Sequence, residues 1–339
     1  MACTPEPQTH DCDLSGPHVV VATSDFVTGA LAASTPDGCV ADRLASTSGD
    51  AVVRRSDERV WVLNRTGGDT LLGFGLGSYS APEVEVVVSQ GGNAHDLVQV
   101  GDRLFVSLFD EARVAVLDLD GAWVGDVDLA PFADSDGLPE VDALVATEAG
   151  LFAALQRLDR DDGWVGTEGQ VVRIEPDTLE VVEAYVTGPN PRLFPASDGR
   201  SLVALTGHFF AADGALERLE PGVGVTEVVL AESEVGLDLG WAAGGVLTGT
   251  GLQVGDDSVL GRWGDEAGLV VLEQSQAWYV EGVQADEAVV AATRRGFGGA
   301  GKAGLRWVEG DGVREVSGFA LDPFSVVWVD DLSERPRSR

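Results

Sequence analysis

The chain repeats itself. Residues 93–130, NAHDLVQVGDRLFVSLFDEARVAVLDLDGAWVGDVDLA, hold four short apolar runs, HDLVQV, RLFVSLF, RVAVLDL and WVGDVDL, separated by GD, DEA and DGA. Runs of this length, rich in Val, Leu and Phe and bounded by turn residues, predict strands. The same order begins again at Asp50, Glu140, Asn190, Val235 and Val280, at intervals of about 43 to 50 residues. Two incomplete copies remain. DPFSVVWVDD (322–331) is a first strand with nothing after it, and HVVVATSDF, GALAAS and CVADRLA at the other end are three strands lacking a first. The two ends complete one unit together.

Seven four-stranded antiparallel units with a shared closing unit predict an all-β, seven-bladed β-propeller. Radial closure removes the free sheet edges that invite aggregation. A sandwich or a pair of domains would leave the matching ends unexplained. About 44% of residues are apolar, enough for a large core. No apolar run reaches about 18 residues, so nothing here is expected to span a bilayer as a helix. The expected organisation is a polar tether at 1–16, one propeller domain at 17–331 and a polar tail at 332–339.

Charge excludes some partners. There are 22 basic against 56 acidic residues, net -34, and Lys302 is the sole lysine. Such a field repels nucleic acid and anionic membrane surfaces. Cation binding is one reading. The plainer one is a solvated, self-repelling surface suited to high salt.

Propeller geometry sorts the loops onto two faces. The turns between strands one and two are short and formulaic: VGDR, TEAG, SDGR, AAGG and ADEA. With the turns between strands three and four they form a lower face of hairpins. The connections between strands two and three, and those between blades, share an upper face and are long and chemically mixed. The clearest is LQRLDRDDGWVG (155–166), beside PFADSDGLPEVD from the preceding connection. Loops on a rigid scaffold are where binding residues gather.

The upper connections collect Arg65, Arg157, Arg160, Arg192, Arg294 and Arg295, whose guanidinium forks suit carboxylate or phosphate. The alternative is internal pairing with Asp110, Asp159, Asp161 and Asp162. Phe26, Phe109, Trp164, Phe209, Phe210, Phe297, Trp278 and Tyr279 fall there too, suited to stacking on a planar ligand or to plugging the channel. His95 and His208, on blades 3 and 5, stand on the same face. With Asp96 or Asp142 they are candidate ligands for a divalent metal. No His-x-His or Cys-x-x-Cys spacing supports that, and lone histidines are usually structural. FADSDG (132–137) hints at a calcium loop but lacks the later acidic position. There is no Gly-x-Ser-x-Gly elbow and no Walker loop, and GFGGAG (296–301) lies in a hairpin with no helix after it.

Within the repeats, RVAVLDLDGAWVGDVDL and GQVVRIEPDTLEVVEAYV resemble the V-x-V-I-D-x-x-T-G-x-V unit of YVTN-type propellers. The start, MACTPEPQTHDCD, resembles a mature bacterial lipoprotein with a start Met in place of its leader. That resemblance makes Cys3 the lipidated residue and places the protein at the bacterial outer membrane, on the surface or periplasmic side. Cys12 and Cys39 then remain as a pair suited to an oxidising compartment. Three free thiols in a reducing compartment is the alternative. Some similar propeller lipoproteins accompany TonB-dependent transporters and capture corrinoids or metal chelates. With the upper-face residues, the leading expectation is a non-enzymatic, monomeric protein that binds a small ligand or a partner protein on that face, the resemblance adding a metal chelate or corrinoid and a transporter as its recipient. Its binding set would be Arg65, His95, Asp96, Phe109, Arg157, Arg160, Trp164, Arg192, His208, Phe209, Phe210, Arg294, Arg295 and Phe297. A metal-dependent hydrolase or lactonase, with Asp142, Asp238 or Glu281 plus a histidine as ligands, is the second expectation. A protein-interaction scaffold is the third.

Overall fold

The computed structural model describes residues 12–65, 68–253, 255–264 and 268–330. Cys3 and the 332–339 tail lie outside them. Among the described residues, twenty-eight strands form seven separate four-stranded antiparallel sheets. Numbering blades from the N-terminus, blade 1 has the order Asp322–Val329, His18–Ser24, Thr28–Ser34, Val40–Ser48. The C-terminal strand is therefore its innermost member and pairs from His18↔Val329 to Ser24↔Asp322. Blades 2 to 7 begin with Ala51–Arg55, Ala94–Val100, Val141–Thr147, Arg192–Pro195, Asp238–Ala243 and Trp278–Ala285. The expected seven-bladed propeller with a shared closing blade is what the chain forms.

The core is divided. Each of seven apolar clusters fills one junction between neighbouring blades, as where Val19, Val290, Trp307 and Trp328 join blade 7 to blade 1. Middle strands are buried on both faces and read as continuous apolar runs, such as Ala288–Arg294. Outer strands such as Glu180–Thr187 alternate, with Val182 and Val186 exposed. Cys12 and Cys39 lie in disulfide geometry with Cα atoms 5.9 Å apart, tying the entry of blade 1 to its own lower turn.

The innermost strands carry the irregularities that shape the channel. Where they pair with their second strands, five blades skip residues in register: Phe324, His95, Asp142 with Ala143, Gly240 with Trp241, and Val280. A bulge re-aims its extra side chain. Every one of these residues lines the central channel.

Candidate functional site

The channel encloses about 440 Å³. A belt of charge crosses it. Arg54 of blade 2 donates through Nε to Asp96 of blade 3, and its Nη1 lies 2.9 Å from Glu281 of blade 7. Asp96 Oδ2 accepts the Leu144 amide of blade 4 at 2.7 Å, and Glu281 Oε2 accepts the Val326 amide of blade 1 at 2.9 Å. One guanidinium and two carboxylates thereby link five consecutive blades. Burial works against the Arg54 charge, but Asp96 and Glu281 outweigh it and hold its pKa above the ordinary value.

A second polar chain stands at the upper mouth. His95 Nδ1 lies 2.9 Å from Asp142 Oδ1, and Arg65 Nη1 donates to His95 Nε2 at 3.0 Å. Arginine has no acceptor, so Nε2 must accept and Nδ1 must carry the proton. The His95 ring also packs against Phe109, with centroids 4.7 Å apart and planes tilted by 32°. Asp50 completes the chain by binding Arg65. Burial raises the Asp142 pKa, but the hydrogen bond from His95 and the charges of Arg192 and Arg65 bring it below the ordinary carboxylate value.

Arg192 occupies the opposite side of the mouth. Its Nη1 donates to the Gly240 carbonyl at 2.9 Å, and Phe209 lies 5.0 Å from its guanidinium. Among the described residues no carboxylate comes within ion-pair distance of it. A side pocket of about 250 Å³ opens here, walled by Arg192, Phe209, Phe210, Asp238, Trp278 and Tyr279. Phe209 and Phe210 are 63% and 46% exposed. Phe210 sits at φ 58°, and its amide is held by Asp238 Oδ2 at 2.9 Å. A bulky non-glycine residue in a left-handed backbone, as Phe210 is, is uncommon, and such residues cluster at functional sites. Channel and side pocket meet at Arg192, Gly240 and Val280.

The other arginines expected on this face are largely engaged. Arg160 bonds Glu140 Oε1 and the Phe109 carbonyl at 2.9 and 3.3 Å, lies 2.7 Å from Asp110, and stacks 4.7 Å from Trp164. Arg157 pairs with Glu168 at 3.0 Å, and Arg295 with Asp322 at 2.7 Å. The 155–166 loop and its 131–142 neighbour are joined by Arg160 N to Asp136 and Leu158 N to Glu140, both 3.0 Å. His208 places Nδ1 2.8 Å from Asp213 and Nε2 2.7 Å from the Gly166 carbonyl. Both nitrogens face acceptors, which only the protonated ring satisfies, and the Asp213 bond raises its pKa. His95, His208 and Asp142 are not gathered into one ligand set among the described residues. The carboxylates there that could share an ion are Asp134, Asp136 and Glu140, within 4.8 Å of one another. Arg160, bonded to Glu140, already supplies that group with a positive charge. The Phe297 side chain lies outside the described residues.

Sequence reasoning missed Arg54, which reads as an ordinary strand residue, and Phe324, which reaches the mouth only through a bulge. A strand-pairing register carries that information, and periodicity does not.

Two buried carboxylates make the upper loops pH-sensitive. Burial pushes Glu140 and Glu232 from 4.5 up to about 7, against the amide and arginine bonds that favour ionisation. A folded-state pKa above the unfolded one means the folded chain holds the proton more tightly. Their contribution is then full below about pH 4.5 and is lost as pH rises through about 7. In melts at fixed high salt, a Glu232→Gln variant should be less stable than wild type at pH 5, and the gap should narrow by pH 8. A constant gap would contradict the assignment.

No family model matches the chain, and no curated protein sequence does. Solved structures do. A proposed 6-phosphogluconolactonase from Bacteroides uniformis superposes with TM-score 0.64 at 12% identity, covering 93% of this chain and 100% of that one. A functionally unknown protein from Desulfotomaculum acetoxidans gives 0.60 at 9%, covering 93% and 99%. A catalytically inactive histidine-to-alanine virginiamycin B lyase from Staphylococcus aureus, with quinupristin, gives 0.57 at 10%, covering 84% and 94%. At such identities the likeness is one of fold.

Proposed function

We propose that the protein is a non-enzymatic binding protein that takes a small planar anion at the upper channel mouth. The observation that carries this reading is Arg192: a guanidinium with no carboxylate at ion-pair distance among the described residues, though Asp142 and Asp238 lie near enough to feel its charge, placed where the channel meets an aromatic-walled pocket. A ligand carboxylate or phosphate would supply charge-assisted hydrogen bonds to Arg192, while Phe209, Phe210 and Trp278 would cover its flat body. The overall charge of -34 does not attract anions, so selectivity must come from this local fork. An anchor at Cys3 would hold the lower face to a membrane and turn the mouth outward. Delivery to an outer-membrane transporter rests on the YVTN-type resemblance alone.

The test is a melting screen against aromatic carboxylates, sugar phosphates and corrinoids. At least one planar anion should raise the melting temperature saturably, whereas its uncharged amide or ester should not. Absence of any response across the panel would remove the reading.

A lactone hydrolase or lyase is the second reading, favoured by the Asp142–His95 pair at the mouth. For His95 to act as a base, its Nε2 would have to be freed from Arg65. Turnover of lactones that is lost in a His95→Gln variant would favour it over simple binding.

A further inference from the structure

Arg294 ends the second strand of blade 7 and is 4% exposed. Its Nη2 donates to the Ser24 carbonyl at 3.2 Å. Its Nη1 is buried with no hydrogen-bond partner among the described residues. The carboxylates nearby are committed elsewhere: Asp322 to Arg295, Asp50 to Arg65, and Asp25 to the amides of Val27 and Thr28 in its own turn. Buried arginines are normally paired, because an uncompensated charge away from water is costly. Burial accordingly pushes the Arg294 pKa below its ordinary value.

What covers the guanidinium is aromatic. The Phe26 ring lies 3.9 Å from it and the Phe324 ring 5.3 Å. A ring face offsets part of a cation's charge, but it does not supply the in-plane acceptor that Nη1 lacks. Phe26 belongs to an exposed turn, is itself 63% exposed and sits at φ 67°. Phe324 lines the channel and also lies 5.5 Å from Arg65, so the covered arginine is one ring away from the mouth.

We propose that Arg294 is the floor of an oxyanion subsite at the junction of blades 7 and 1, where a carboxylate or phosphate oxygen bonds Nη1 as the Phe26 ring turns aside. This site shares no residue with the Arg192 pocket and stands or falls independently of the reading given for it. The large negative charge of the chain makes diffuse anion binding weak, so a saturable response reports a local site.

The test titrates the wild-type protein and its Phe26→Ala and Arg294→Met variants with acetate and with phosphate at constant ionic strength, following melting temperature. At least one anion should stabilise the wild type saturably and bind Phe26→Ala at least as tightly. Arg294→Met should bind it at least tenfold more weakly. Acetate responding alone assigns a carboxylate, and phosphate alone a phosphate group. If Arg294→Met does not fold, Arg294→Lys, which keeps the charge but loses the fork, should show the same weakening. No saturable response in wild type and Phe26→Ala would overturn the proposal, as would a response left unchanged when Arg294 is replaced.

Discussion

An Arg54→Met variant is expected to lose about 3 kcal/mol of stability, the lower end of the range for removing one partner from a buried ionic group. The lower end applies because the channel is partly wet: the side chains of Arg54 and Glu281 are 23% and 25% exposed. Methionine replaces the volume but leaves Asp96 and Glu281 facing each other without a cation. Each carboxylate keeps its backbone amide from the next blade, Leu144 or Val326, so most of the loss is electrostatic, with the Arg54 bonds to the Val53 carbonyl and the Ser325 hydroxyl adding to it. A second substitution, Glu281→Gln, should therefore restore part of the stability in the Arg54→Met background while costing stability in the wild type. Chemical denaturation of the four proteins measures the coupling. A loss below about 1 kcal/mol for Arg54→Met would mean that the belt is incidental to closure.

Removing the cystine should be as large an effect. A Cys12→Ser, Cys39→Ser protein is expected to be about 3 to 4 kcal/mol less stable, from the unfolded-chain entropy of a loop with sequence separation 27. The position adds a second consequence. The bond fixes the chain just before His18, where the N-terminal strand pairs with the C-terminal one. Amide exchange in His18–Ser24 and Asp322–Val329 should quicken more than in blades 3 to 5. A uniform change across all blades would show that the bond acts only on the unfolded state.

The architecture was legible because each blade restates it. Turn residues recur at a near-constant interval, and the two incomplete ends fit no open arrangement. The division into faces was legible for a similar reason: short lower hairpins need only turn residues, so unusual side chains accumulate above. The roles within the upper face were less so. Arg160 and Arg192 look alike in sequence, yet Arg160 is ringed by Asp110 and Glu140 from neighbouring loops, while Arg192 meets a carbonyl and a phenyl ring. Which carboxylate reaches which arginine depends on how adjacent blades rotate their loops together, and no local pattern records that. The bulges at His95, Asp142, Val280 and Phe324 were hidden likewise, because pairing register exists only between strands.

The central claim, that Arg192 anchors an anion at the mouth, is tested most directly by calorimetric titration of the best planar carboxylate into wild type and an Arg192→Met variant. Loss of a charge-assisted hydrogen bond worth about 1.5 to 3 kcal/mol predicts binding roughly 10- to 100-fold weaker in the variant, with its melting temperature little changed. Equal affinity in the two proteins would contradict the account.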